Sequence, residues 1–440
     1  MSNFDIGLWS FVVVLALIFI RIPIGLSMLV VGIGGNVLVM GHTRMISGQL
    51  KNLTYGEFSN YSLSILPLFL LMGQFATLGG MSTALFKAAE AFLGHRKGGV
   101  AMASVGACAG FGAICGSSLA TAATMGQVAL PELRRYGYSG ALSTGTLAAG
   151  GTLGILIPPS VILVIYAILA EQNVAKLFVA AVIPGVLAML GYIAAIAIYV
   201  RVFPNSGGVR PRVPYRERFA ALRAVWPVLA VFIVVIGGIY QGLFTPTQGA
   251  AVGAFGTGLI AWMNGGLTWR SLMGAFKGTA MTTGMIYLIV LGAKIYNNFL
   301  ALTRVPQDVA SYIGAQGFDP WWVLVIVLVA YLVFGCIMDS LSMILLTVPI
   351  VFPIMIGLDF GMSVEEFGLW FGILVLIVVE VGLITPPVGM NLFVINTLSR
   401  DIPISETFKG VFPFVITDLL RVVVLVIFPS ITLYAVRTLY

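Results

Sequence analysis

Four short helix-breaking stretches, each set inside a long apolar run, constrain this chain more than anything else in it. Phe111-Gly-Ala-Ile-Cys-Gly-Ser-Ser118 is echoed 223 positions later by Phe334-Gly-Cys-Ile-Met-Asp-Ser340, with Phe, Gly, Ile and Ser recurring in a gapless match. Each copy is followed by a second break, Gly154-Ile-Leu-Ile-Pro158-Pro159 in the first case and Gly382-Leu-Ile-Thr385-Pro386-Pro387 in the second. Backbone that leaves a helix inside hydrocarbon must be satisfied by protein or by a water-lined cavity, so such breaks are not scattered at random. One matched pair in a chain with 52 glycines could be chance. Two pairs in the same order read as an internal structural repeat.

The surroundings of the breaks set the class of protein. Hydrophobic residues make up 59% of the chain, charged residues only 9%, and the mean hydropathy is +1.05. Apolar runs of helix-span length recur throughout, which indicates an all-α polytopic membrane protein and excludes a barrel of short strands. The polar stretches are too short for a separate soluble domain. Cys108, Cys115 and Cys336 have no disulfide or metal spacing, and the only histidines, His42 and His95, are far apart. The start of the chain lacks the basic region of a cleaved leader and reads as a retained first span. The net charge of +7 does not point to nucleic acid, because residues 201–223 carry Arg201, Arg210, Arg212, Arg216, Arg218 and Arg223 against Glu217 alone. A basic loop between spans marks a cytoplasmic connection.

Taken in order, spans are expected near 4–20, 22–40 and 62–80, with a polar stretch over 41–61. Residues 82–97 read as an amphipathic interfacial helix, with Lys87 and Glu90 opposite Leu85, Phe86 and Phe92. A helical hairpin over 98–133 follows, its tip at 115–118 and basic residues at both ends. Its arms are long enough either to cross or to stop at mid-membrane. Residues 139–170 read as a helix broken at Pro158-Pro159, because proline lacks the N–H and clashes with the preceding turn. A span at 178–200 completes the first repeat (1–203), and 204–223 is the basic loop. The second repeat (224–440) has spans near 224–243, 246–264 and 278–300, a connector at 304–318, a hairpin over 319–357 and a helix over 367–398 broken at Thr385-Pro-Pro387. A last span covers 411–436. Counting crossings from the basic loop gives two inverted repeats, with both termini outside and the second hairpin opening outward. His42, Arg44 and Lys51 then fall outside, against the charge rule.

The breaks are where chemistry is expected. Freed carbonyls suit a hard cation such as Na+, and free N–H groups at helix N-termini suit a carboxylate. Sodium ligands are expected from Gly116, Ser117, Gly154 and Pro158 in the first half, and from Met338, Gly382, Thr385, Pro386 and Gly389 in the second. Substrate contacts are expected from Ser117, Ser118, Asp339, Ser340 and Asn391. Ser117 and Ser118 also suit the cap of a returning helix, and Asp339 suits an N-cap. Among other charges at membrane depth, Asp418 and Arg421 are three apart and are expected to pair. Lys294 is another charge at that depth. Glu380 reads equally as a coupling residue or as half of a structural salt bridge. Trp321 and Trp322 read as interfacial anchors.

Four motifs together, Phe111-Gly-Ala-Ile-Cys-Gly-Ser-Ser-Leu-Ala-Thr-Ala-Ala123, Gly151-Thr-Leu-Gly-Ile-Leu-Ile-Pro-Pro-Ser160, Phe244-Thr-Pro-Thr-Gln-Gly-Ala-Ala251 and Gly382-Leu-Ile-Thr-Pro-Pro-Val-Gly-Met-Asn-Leu-Phe-Val394, closely resemble the large membrane subunit of tripartite ATP-independent periplasmic (TRAP) transporters. The resemblance runs the length of the chain. It implies a sodium-driven importer of an organic acid in the bacterial inner membrane, working by an elevator movement of the hairpin-bearing part. It also implies two partners, a periplasmic substrate-binding protein and a separate small four-helix membrane subunit, besides the surrounding lipid. Gln248 stands where the family commonly has Glu, which puts an ion-pair role there in doubt. Two rivals are a stand-alone sodium/divalent-anion symporter of related elevator type and an anion channel. A channel would need a continuous polar stripe along several helices, and the sequence has only isolated polar breaks.

Overall fold

The structure, a computed structural model, describes residues 2–42 and 44–440. The side chains of 43–47 and 49, including the Arg44 assigned above to the outer side, lie outside the described residues. The described chain is helical. The first half comprises α1 (Asn3–Phe19), α2 (Ile24–Met40), α3 (Arg44–Phe58), α4 (Ile65–Leu78), α5 (Met81–Leu93), α6 (Gly99–Cys115), α7 (Ser118–Arg135), α8 (Gly140–Leu156), α9 (Val161–Leu169) and α10 (Val174–Val202). The second comprises α11 (Tyr215–Tyr240), α12 (Pro246–Met263), α13 (Trp269–Thr303), α14 (Val305–Ala315), α15 (Pro320–Gly335), α16 (Ser340–Ile356), α17 (Val364–Gly382), α18 (Met390–Leu398), α19 (Ile404–Ile427) and α20 (Pro429–Leu439).

Several expected boundaries move. The span placed at 278–300 is a helix of 35 residues that starts at Trp269, where Thr268 and Ser271 form a capping box. The last span is α19, ending at Ile427 and not 436; Pro429, which cannot continue it, opens the separate α20. The polar stretch 41–61 holds a helix, α3, and the connector at 304–318 holds α14. In α5 Phe86 is buried as expected, but Glu90 is also buried and Phe92 is exposed. Glu90 is buried because Arg210 of the basic loop covers it, Nη1 to Oε2 at 2.9 Å, while the Arg210 N–H bonds the Gly94 carbonyl at 3.0 Å.

Packing sorts the helices into two groups, each drawn from both halves of the sequence. In one, α2 lies along α13, α4 along α12, α1 on α2 and α11 on α12. Glycines permit the close approach: a Cβ on Gly25 or Gly32 would stand 2.9 Å from the backbone of Ile289 or Tyr296 of α13. In the other group α6, α7 and α19 surround α8, α15 and α16 pack on α17, and α10 runs between α8, α17 and α19. The large apolar core lies mainly in this second group, where Trp370, Phe371, Tyr166 and Tyr192 are fully buried. The matched elements pack reciprocally: α7 meets α18 while α16 meets α9.

Ion pairs mark the two ends of this group. At one end Arg134 in the last turn of α7 meets Asp401 before α19 at 2.5 Å. At the other, Lys176 meets Glu365 at 2.6 Å and Arg437 meets Glu366 at 2.8 Å. The α8–α9 and α17–α18 segments run between these ends. The hairpin α6–α7 therefore opens at the Arg134 end and the hairpin α15–α16 at the Glu365 end.

Candidate functional site

The first hairpin turns because Gly116 adopts φ +64°, a left-handed conformation that closes α6 and that an L side chain rarely takes. Ser117 then caps α7 by accepting from the Ala120 N–H at 3.4 Å. In the second hairpin the cap is Asp339, whose carboxylate accepts from the Ser342 N–H at 3.0 Å and also from the Ser342 hydroxyl. Equivalence by capping thus pairs Ser117 with Asp339 and Ser118 with Ser340. The gapless match, by contrast, sets Ser117 against Ser340. The match does hold before the turn, where Gly112 packs on Gly154 and Gly335 on Gly382; the register slips by one inside the tip.

The two tips meet. Gly116, Ser117, Ser118 and Leu119 line a cavity of about 200 Å3 together with Asp339, Ser340 and Leu341. The two hairpins thus enter this helix group from opposite ends and bring their tips to one cavity. The cavity is completed by Ile155, by Val161 and Ile162 at the start of α9, and by Leu70 of α4 with Thr282, Met285 and Ile286 of α13. Three helix N-termini, those of α7, α9 and α16, therefore end at one small cavity, and the first-turn N–H groups there favour an anion. The cavity also sits on the seam between the two packing groups. Thr282 was not anticipated, although the small and hydroxyl-rich run Gly278-Thr-Ala-Met-Thr-Thr-Gly284 was a signal that could have pointed to it.

The first broken helix bends by 46° between α8 and α9. Pro158 has no N–H for the Gly154 carbonyl, and the Ile157 N–H bonds Leu153 instead. Among the described residues, the carbonyls of Gly116, Gly154, Pro158 and Pro159 accept no hydrogen bond. Gly116 and Gly154 both lie against the facing break: a Cβ on Gly116 would stand 3.2 Å from the Pro159 oxygen, and one on Gly154 2.9 Å from the Ser117 oxygen. The second break differs. The Gly382 carbonyl accepts from the Thr385 N–H and the Leu383 carbonyl from the Asn391 N–H, both at 3.1 Å. The carbonyls of Met338, Thr385 and Pro386 accept none among the described residues, but Pro386 is exposed whereas Pro158 is buried. Gly389 bridges to the tip, its N–H directed at the Cys336 carbonyl at 3.4 Å. Both Pro-Pro bonds, 158–159 and 386–387, are cis. Backbone oxygens without partners among the described residues, the kind of donor a hard cation takes, are thus present at both breaks.

The structure does not bring every expected residue to the cavity. Gly116, Ser117, Ser118, Asp339 and Ser340 line it. Gly154 and Pro158 stand behind the first tip; Gly382, Thr385, Pro386 and Gly389 stand behind the second. The Met338 side chain points the other way, into an apolar cleft with Phe11, Val14 and Leu346. Asn391 is fully buried away from the cavity, where its amide donates to the Ala148 carbonyl at 3.2 Å and ties α18 to α8.

The charges at membrane depth resolve individually. Asp418 and Arg421 pair at 2.8 Å, as their spacing indicated. The pair belongs to a buried chain in which the Tyr192 hydroxyl donates to Asp418 at 2.6 Å and stands 2.9 Å from the Thr152 hydroxyl. Lys294 meets Glu57 of α3 at 2.5 Å, a partner hidden by sequence distance. Glu380 forms no salt bridge among the described residues, and its neighbour is a hydroxyl: Ser340 donates to its Oε1 at 2.7 Å. Trp321 packs edge-on against Phe360 and Trp370, and both it and Trp322 remain exposed.

The model of the family described as "Tripartite ATP-independent periplasmic transporter, DctM component" matches residues 11–431. The chain belongs to this family. It is a TRAP large membrane subunit, a multi-pass transporter component and not an enzyme. A C4-dicarboxylate TRAP transporter large permease protein of Pseudomonas aeruginosa is 36% identical over 85% of this chain and 86% of its own length. A sialic acid TRAP large permease protein of Vibrio cholerae is 29% identical over 95% and 96%. An ectoine TRAP large permease protein of Halomonas elongata is 28% identical over 96% of both. Among solved structures, the Alcanivorax borkumensis YdaH transporter, described as having an unusual topology, matches with a TM-score of 0.63. It covers 87% of this chain and 88% of that one at 14% identity, a likeness of fold alone.

Proposed function

We propose that this TRAP subunit imports a small organic acid into the bacterial cell, driven by sodium, with the tip cavity as the transport site. The observation that carries the reading is the convergence of three helix N-termini and two hairpin tips on one cavity at the seam between two helix groups. Free N–H groups there suit a carboxylate, and the partnerless backbone oxygens behind the tips suit Na+. The group holding both hairpins, α6–α10 with α15–α19, would carry the cavity from one membrane face to the other against α1, α2, α4 and α11–α13. The ion pairs at opposite ends of that group support an inverted arrangement of the repeats. A relative named for C4-dicarboxylates supports the acid, and the family's tripartite nature supports delivery by a periplasmic binding protein and assembly with a small four-helix subunit.

Proteoliposomes holding both membrane subunits, supplied with the binding protein, test this. Uptake of the acid is expected only with the binding protein outside and a sodium gradient directed inward. Accumulation without a sodium gradient would remove sodium coupling. Uptake by this chain alone would favour a stand-alone symporter.

A further inference from the structure

Glu380 belongs to neither break and to none of the expected ligand sets, yet it lies against the cavity wall. It sits near the end of α17, with the residue only 2% exposed and no cation partnered to it among the described residues. Its Oε1 accepts the Ser340 hydroxyl at 2.7 Å. Its Oε2 is buried without a partner. Ser340 lines the cavity, so this carboxyl backs the tip of the second hairpin.

A carboxylate only accepts, and a serine hydroxyl has one proton to give. When Glu380 is ionised and takes that proton, the oxygen Ser340 turns toward the cavity carries lone pairs alone. Asp339, one residue earlier, is likewise an acceptor, and the hydroxyl next to it, Ser342, donates to Asp339 and not to the cavity. The side-chain oxygens that only accept, those of Asp339 and Ser340, are thus gathered at the second tip, while the starts of α7 and α9 bring N–H donors without such a carboxyl behind them. The first half has no equivalent. There the residue matching Glu380 in the Gly154–Gly382 alignment is Thr152, whose link to a carboxylate runs through Tyr192 to Asp418, away from the cavity.

We propose that Glu380 is a positioning residue that fixes the Ser340 hydroxyl as an acceptor and so makes the second tip the sodium-facing side of the cavity. The inference rests on the sodium-driven reading above. It predicts that the substrate carboxylate is held at the α7 and α9 side, with sodium between it and Ser340. In a buried setting, hydrogen bonds to charged groups are worth more than neutral ones, so loss of the carboxylate should be felt at the ion and not only in the fold.

Binding of radioactive sodium to the purified chain in nanodiscs, at constant ionic strength kept with choline, provides the test. Glu380→Gln can donate to Ser340 through its amide and release the hydroxyl proton toward the cavity. It is expected to weaken sodium binding about tenfold or more. Glu380→Asp should recover part of the loss, and Ser340→Ala should weaken binding similarly. The double variant should be no weaker than Ser340→Ala alone, because both changes act through one oxygen. Thermal unfolding in choline reports any general loss of fold separately. Wild-type sodium affinity in Glu380→Gln, or a double variant showing the product of the two single losses, would overturn the proposal while leaving sodium coupling in place. Absence of sodium binding by the unmodified chain would overturn both readings.

Discussion

Gly116 shows how much one residue decides. Its φ of +64° closes α6 and aims the following N–H groups at the cavity, and its α-carbon faces the Pro159 oxygen so closely that a Cβ would stand 3.2 Å away. Gly116→Ala is expected to destabilise the tip by about 1–2 kcal/mol from the left-handed backbone alone. It should also abolish sodium-dependent uptake, which thermal unfolding and proteoliposome transport together would show. Gln248 is the opposite case. Its side chain accepts from the Thr245 N–H at 2.9 Å while its own N–H bonds the Thr245 hydroxyl, a capping box at an exposed helix start. Glu fills that role as well as Gln. Gln248→Glu should therefore change unfolding by no more than about 0.5 kcal/mol and leave uptake unaltered; a large loss of uptake would show that the position does more than cap.

The elements are held in register by a few buried polar links. Thr152 of α8, Tyr192 of α10 and Asp418 with Arg421 of α19 form one chain, ending where Arg421 reaches the Pro184 carbonyl of α10 at 3.5 Å. Removing one member of a buried ion pair leaves the other uncompensated at a cost of about 3–5 kcal/mol. Asp418→Ala should lower the unfolding midpoint strongly, whereas Tyr192→Phe, which strips only the hydroxyl, should cost about 1–3 kcal/mol. Denaturation of the purified variants would rank them; equal losses would mean that the chain does not act as described. The i,i+3 spacing of Asp418 and Arg421 made their pairing legible in sequence. Tyr192 and Thr152 were not legible, because an aromatic and a hydroxyl in apolar helices carry no mark of a partner 226 or 40 positions away. Lys294 is the same lesson: its partner Glu57 lies on a helix in a stretch whose composition reads as a connection.

At the scale of the whole molecule, the seam between the two helix groups is where movement would occur, since the cavity takes Leu70, Thr282, Met285 and Ile286 from one group and both tips from the other. A cysteine at Leu119 joined to one at Met285 by a bifunctional thiol reagent should stop uptake, and a reducible linker should restore it on cleavage. Uptake that survives crosslinking would exclude a sliding of one group past the other. Single cysteines placed at 134–135 and at 359–366 should label from opposite membrane faces. Labelling from one face would remove the inverted arrangement.

The sequence by itself determined where the chain leaves the helix and what that exposes. Proline without an N–H and glycine without a Cβ act locally, so the breaks at 115–118, 158–159 and 385–387 needed no knowledge of neighbours, and the one at 338–340, which has neither, was legible from its match to the first tip. Hydropathy likewise determined the membrane class, because burial in lipid is a property of composition over a span. Only the tertiary structure decided which breaks share a cavity, how Thr282 enters it, why Met338 and Asn391 stay out, and that Glu380 meets a hydroxyl and not a cation. Those facts depend on how segments far apart in sequence approach one another, and residue type at one position does not encode the side chain that will face it.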